Sequence, residues 1–159
     1  MAHESHEVVE HAAPPPLVFA GALGLGILLD RIHHVPALPA VFTPLRRVVG
    51  VLAVAAGMGI ALWSVLSMRR VGVNPAPHAA PPALAVEGPY RFSRNPIYLG
   101  MVLTYLGGGL LRNAGWAPLL LPGVLTFMRR GVIEREELYL TRRFGDDYLR
   151  YAARVRRWL

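Results

Sequence analysis

No cysteine occurs anywhere in the 159-residue chain. Disulfides, thiolate metal sites and a cysteine nucleophile are therefore excluded. Lysine is absent too, so all 17 basic residues are arginine, set against 10 acids. Histidine is sparse, and beyond residue 34 only His78 remains. No Ser-His-Asp grouping and no His-acid set at metal-ligand spacing is visible. Hydrolysis by a nucleophile or a bound metal thus has little support. The first ten residues hold Glu4, Glu7 and Glu10 but no arginine. A secretory leader opens with positive charge, so none is expected here. His3, His6 and His11 sit among those acids. Pro14, Pro15 and Pro16 end any local helix just after them, so residues 1–15 read as a polar tail rather than a metal site.

What the chain has in excess is apolar surface. It is 53% hydrophobic, where soluble domains run at about 45–50%. The excess falls in four blocks, at 16–29, 48–68, 97–111 and 116–128. The first is short for a span of about 20 residues, but Ala12 and Ala13 can lengthen it. The second is rich in small residues, Gly57 and Gly59 among them, which allow close helix contact in lipid. The tight link 112–115 makes the last two an expected antiparallel pair. The segment 38–45 is expected as a short helix along the membrane surface.

The formal charge of +7 flanks these blocks, which points to anionic lipid headgroups and not to nucleic acid. With four spans, both termini share one side. Arg69, Arg70, Arg91, Arg94 and the nine arginines from Arg129 onward lie there, thirteen against four on the other side. That bias places the termini and the 69–96 connection in the cytoplasm. The expected fold is an all-α integral membrane protein, one membrane domain over 16–159. It has four transmembrane helices followed by C-terminal cytoplasmic or interfacial helices.

The cytoplasmic side carries the unusual chemistry. Pro75, Pro77, Pro81, Pro82 and Pro89 favour an extended connector whose carbonyls no helix satisfies. Gly88 to Gly100 then packs turn formers, two arginines and two tyrosines into an elbow at the mouth of the third span. Asn95 before Pro96 suits a helix N-cap. Beyond Met128 the fourth span runs on as a charged helix carrying Glu134, Glu136 and Glu137, and Phe144-Gly145 ends it. Asp146 and Asp147 open a last helix. Tyr148, Tyr151, Ala152, Val155 and Trp158 form its apolar face, the pattern of an interfacial helix.

Taken together, Gly88-Pro89-Tyr90, Arg94-Asn95-Pro96-Ile97-Tyr98-Leu99-Gly100, Glu136-Glu137 and Phe144-Gly145-Asp146-Asp147-Tyr148 resemble the isoprenylcysteine carboxyl methyltransferase family. The related membrane phospholipid methyltransferases share much of this pattern. The resemblance covers residues 72–159. It implies S-adenosyl-L-methionine as methyl donor, held at the cytoplasmic face by Pro82, Ala83, Leu84, Ala85, Tyr90, Asn95, Pro96, Ile97, Tyr98 and Glu136. Arg94 and Arg130 are the candidates for the substrate side. No catalytic residue is singled out and no metal is implied. The family usually has His where Asn95 stands; an amide can donate a hydrogen bond but cannot carry a proton. The family's substrate arginine aligns with Val132, so a prenylated protein is a poor acceptor, and a lipophilic molecule entering from the bilayer is expected. Methyl transfer from a sulfonium needs placement more than proton transfer. Two alternatives stay open: an NADPH-dependent membrane reductase, since sterol reductases share the Arg-x-Pro-x-Tyr-x-Gly pattern, and a non-enzymatic lipid-binding membrane protein.

Overall fold

The computed structural model describes residues 13–73 and 83–159. Among the described residues the regular elements are all helical. They are α1 (Pro15–Ile32), α2 (Thr43–Arg70), α3 (Pro96–Arg112), α4 (Trp116–Met128), α5 (Glu134–Phe144) and α6 (Asp146–Arg154), with short 3-10 and π turns between them. Two stretches, α1 and the run Ala40–Arg70 containing α2, are long and apolar enough to cross a membrane. Only 11% and 17% of their apolar windows are buried within the protein. A soluble core helix would be mostly buried, so these faces belong against lipid.

α1 opens with prolines in its first turn, where a missing N–H costs nothing. It gains length at its far end, running through Asp30 and Arg31 to Ile32; Ala13 lies before its first residue, Pro15, and Ala12 falls outside the described residues. The Asp30 carboxylate then accepts from Val35 N at 3.0 Å and pairs with His34 Nδ1 at 2.8 Å, which turns the chain. The expected surface helix over 38–45 is instead one 3-10 turn, Ala40–Phe42, leading straight into α2.

α2 and α3 form an antiparallel pair held by glycine. A Cβ on Gly57 would come within 2.5 Å of the Gly100 carbonyl oxygen, and one on Gly100 within 2.5 Å of that of Gly57. One turn-pair away, a Cβ on Gly107 would lie 2.8 Å from the Gly50 oxygen. The backbones touch directly, and in lipid that close packing stands in for the missing hydrophobic drive. Buried Arg46 on α2 donates to the carbonyls of Leu110 and Leu111 at the end of α3, where Leu110 O also accepts from Asn113 N at 3.0 Å. α3 and α4 are joined by a tight turn through Asn113, whose φ of +56° is left-handed. The sequence suggested these two as the pair; in the structure α3 packs chiefly on α2, and α4 on α1. The reason is that α2 and α3 carry matching glycines, whereas α4 opposes α3 mainly where Tyr105 Oη donates to Ala117 O at 2.7 Å. Phe19 meets Tyr105 edge-on, and Val124, Met128 and Val132 complete that core.

After Met128 the helix continues through a π turn, Arg129–Ile133, into α5. The wider turn rotates Val132 and Ile133 fully into the protein and leaves Arg129 and Arg130 outside. The C-terminal end of α2, the start of α3, α5 and α6 thereby gather at one end of the helix group.

Candidate functional site

The elbow is fixed first. Gly88 lies at φ +61° in a 3-10 turn, Gly88–Arg91, and a Cβ there would fall 2.5 Å from Ser67 Oγ of α2. Glycine therefore lets the turn press on α2, and Pro89 and Tyr90 are buried by it. Pro96 occupies the first turn of α3. Asn95 stands at the N-cap position, but its side chain caps nothing. Its Nδ2 donates instead to Arg157 O, 2.9 Å away in the segment after α6. Ser93 Oγ accepts from Asn95 N at 3.1 Å and donates to Arg157 O at 3.3 Å. The cap expected from Asn-Pro is thus replaced by a tertiary contact.

α6 closes over the elbow. Its aromatic face, expected against lipid, points inward: Tyr148 and Tyr151 are buried. Tyr151 Oη donates to Tyr90 O at 2.7 Å, and Arg94 Nη1 donates to Tyr148 Oη at 3.3 Å. The helix ends at Arg154, so Val155 and Trp158 lie beyond it, outside any helix.

Between elbow, α5 and α6 lies a hollow of about 120 Å³. Ala83, Leu84, Ala85, Tyr90, Arg94, Asn95 and Glu136 line it, with Met68, Glu137 and Leu140. Tyr98 joins through its phenol, which donates to Glu136 Oε1 at 2.7 Å across 38 residues of sequence. Pro96 is buried and Ile97 partly so, and neither lines the hollow. Pro82 falls outside the described residues. Arg130 is set apart from the rest: it lines an open groove of about 660 Å³ with Pro122, Gly123, Phe127 and Arg135. The π turn is the cause, since it turns Arg130 out as it turns Val132 in.

Electrostatics separate the two adjacent glutamates. Burial pushes the Glu136 carboxyl up to about 7; the Tyr98 hydrogen bond pulls the other way and the charge of Glu137 adds to the rise. Glu137 is instead clamped by Arg157, Nε to Oε1 at 3.0 Å and Nη2 to Oε2 at 2.7 Å, with Arg94 Nη1 at 3.3 Å. Burial also raises Tyr90, with Tyr151 and Glu136 adding, so that phenol stays protonated. Arg94 Nε is buried without a hydrogen-bond partner. The hollow thus offers a carboxylate poised near neutrality beside an orphaned guanidinium donor. Among the described residues no group of His, Cys, Asp or Glu is placed to hold a metal.

Arg157, Tyr148 and Tyr151 are the site residues that reading the sequence missed. The tyrosines three apart were visible, but a stripe of that kind does not say whether lipid or protein covers it.

Fold and site together define a helical membrane protein with a carboxylate-bearing hollow at one end. The phospholipid methyltransferase family matches residues 45–147, about two thirds of the chain, and the protein belongs to that family. The match runs from the start of α2 to the start of α6 and contains Tyr98, Glu136 and Glu137. The resemblance seen in the motifs therefore holds, and the chain is of methyltransferase type. It is also similar to an uncharacterized protein of Haemophilus influenzae, 41% identical over 66 residues, which is 40% of this chain and 100% of that protein. No solved structure matches.

Proposed function

We propose that the protein is an S-adenosyl-L-methionine-dependent methyltransferase acting on a lipophilic acceptor that arrives from the bilayer. The observation that carries this reading is the Tyr98–Glu136 contact in the wall of a hollow shared by elbow, α5 and α6. The residues fit the cofactor's methionine end. Ionised Glu136 complements positive charge, and the buried Arg94 Nε is an unused donor for a carboxylate. The hollow's volume suits that moiety and not the whole molecule, since complete ligand pockets span about 300–1,000 Å³.

When bound, the cofactor supplies an electrophilic methyl group on a sulfonium. The chain's part is placement and charge. Glu136 holds the cationic end, Tyr98 fixes the orientation of that carboxylate, and the protonated Tyr90 phenol faces the same space. Placement of this kind is worth about 7–11 kcal/mol of barrier in good cases. Because Glu136 ionises at about 7, cofactor affinity rises as pH climbs through neutrality.

In the same reading α3 and α4 also cross the bilayer, which makes four spans. The arginine bias of thirteen to four then sets the termini and the hollow in the cytoplasm.

The test is thermal stability of the purified protein in mild detergent. S-adenosylmethionine or its demethylated product should raise the melting temperature of the wild type and not of Glu136→Ala. Equal stabilisation of both proteins removes Glu136 from the site. Stabilisation by NADPH instead supports a reductase, and by neither ligand a non-enzymatic lipid-binding role.

A further inference from the structure

The groove that holds Arg130 lies apart from the hollow, and the two share no lining residue. Its wall is one side of a single rod, the end of α4 and the π turn. Gly123, Phe127 and Gly131 follow one another at four-residue spacing, and so do Pro122, Thr126 and Arg130. Residues four apart stack on one helix face. The two glycines leave room on either side of the Phe127 ring, and a Cβ on Gly123 would meet nothing within 4 Å. Thr126 Oγ1 donates to the Pro122 carbonyl at 2.8 Å, so its hydroxyl is satisfied within the helix. Arg130 stands at one end with Arg135 beyond it, and no acidic residue lines the groove.

α1 sets the depth of this groove in the bilayer, because its exposed apolar surface is that of a membrane span. α4 runs alongside it in the opposite direction. At one end Trp116 Nε1 donates to His33 O, just past α1, at 2.8 Å, and a Cβ on Gly26 would lie 3.2 Å from Ala117 N. At the other end Phe19 shares a core with Val124, Met128 and Val132. The last turn of α4 is therefore level with the first turns of α1. That places Arg130 at the membrane surface. Pro122 lies roughly 12 Å deeper along the helix axis, within the hydrocarbon.

We infer that this groove binds one anionic phospholipid, its phosphate on Arg130 and an acyl chain laid along Phe127, Gly123 and Pro122. The order of chemistry along the groove is that of the lipid itself, cation at headgroup level and apolar wall at chain level. A guanidinium suits a phosphate, and a headgroup with no cation of its own adds no repulsion beside two arginines. The π turn Arg129–Ile133 gains a purpose here, since it buries Val132 while leaving Arg130 on the groove. This lipid is a resident and not the methyl acceptor, because α5 separates the two sites: Arg135 borders the groove, Glu137 and Leu140 the hollow. The inference stands on α1 as a span and is independent of the proposed reaction.

The experiment is native mass spectrometry of the full-length protein released from nanodiscs. The discs hold equal parts phosphatidylglycerol, phosphatidylcholine and phosphatidylethanolamine. Wild type should retain one lipid, with phosphatidylglycerol favoured over the two zwitterions. Arg130→Ala should cut that preference about fivefold, as expected for one arginine at a lipid surface. Arg91→Ala removes the same charge from an exposed site on the elbow and should leave the preference intact. Gly123→Leu puts a side chain into open space and should lower retention of every lipid. Equal retention of the three lipids by wild type overturns the site, and a preference for phosphatidylethanolamine overturns its anionic character. So do equal losses in Arg130→Ala and Arg91→Ala, which would mean diffuse attraction only. Unchanged retention in Gly123→Leu removes the chain from the groove. No S-adenosylmethionine is present, so none of these results bears on the proposed function.

Discussion

Glu136→Gln should make the ligand-free protein more stable while destroying its site. The carboxyl is lifted from its ordinary 4.5 to about 7, chiefly by burial. Each unit is about 1.4 kcal/mol of difference between charged and neutral forms, so ionising Glu136 costs the fold roughly 3 kcal/mol. The sign follows from proton counting. Between 4.5 and 7 the folded state holds a proton that the unfolded state has released, so stability falls as pH rises through that window and stays low above it. Glutamine carries no charge, and its carbonyl oxygen still accepts from the Tyr98 phenol. The variant should therefore match wild type near pH 5 and exceed it by up to roughly 3 kcal/mol near pH 8. Melting in mild detergent at a series of pH values, without ligand, reads this directly. A difference that is the same at both pH values refutes the reasoning, as does a variant less stable at the higher one. The same substitution should abolish stabilisation by S-adenosylmethionine. A residue that burdens the fold and serves the ligand is what a site residue looks like in a stability measurement.

Two further predictions concern the scaffold. Gly57→Ala should destabilise by about 1–3 kcal/mol, because its Cβ would meet backbone atoms of α3; Gly59→Ala, with nothing within 4 Å, should be neutral or mildly stabilising, and equal melting temperatures would contradict the glycine contact. Arg46→Ala should cost about 1–3 kcal/mol by stranding the Leu111 carbonyl and removing a second donor from that of Leu110, read as a lower melting temperature that Arg46→Lys partly restores.

The apolar blocks and the arginines were legible, because hydropathy and charge report directly on the solvent a segment meets. The elbow was legible too, since Gly88, Pro89 and Pro96 have narrow backbone preferences. What pattern alone could not give was which partner each apolar face meets. The Tyr148–Tyr151 stripe reads the same whether lipid or the elbow covers it. The neighbours of α3 were misjudged for a related reason: a short loop brings α4 close, but matching glycines let α2 come closer. Asn95 read as a cap because local geometry favours one, and the competing acceptor, Arg157 O, lies 62 residues away. The Tyr98–Glu136 pairing was reachable only through the family resemblance, for no spacing rule links positions 38 apart.

The direct backbone contact between α2 and α3 has a mechanical consequence. Two rods touching main chain to main chain cannot slide or roll past each other without collision, so the elbow is mounted on a stiff base. The opposite wall of the hollow, the arm formed by α5 and α6, is tied to the elbow by hydrogen bonds and one ion-pair cluster. Polar contacts can break and re-form where interlocked main chains cannot, so the helix pair is the firmer side of the hollow and the arm the more yielding one.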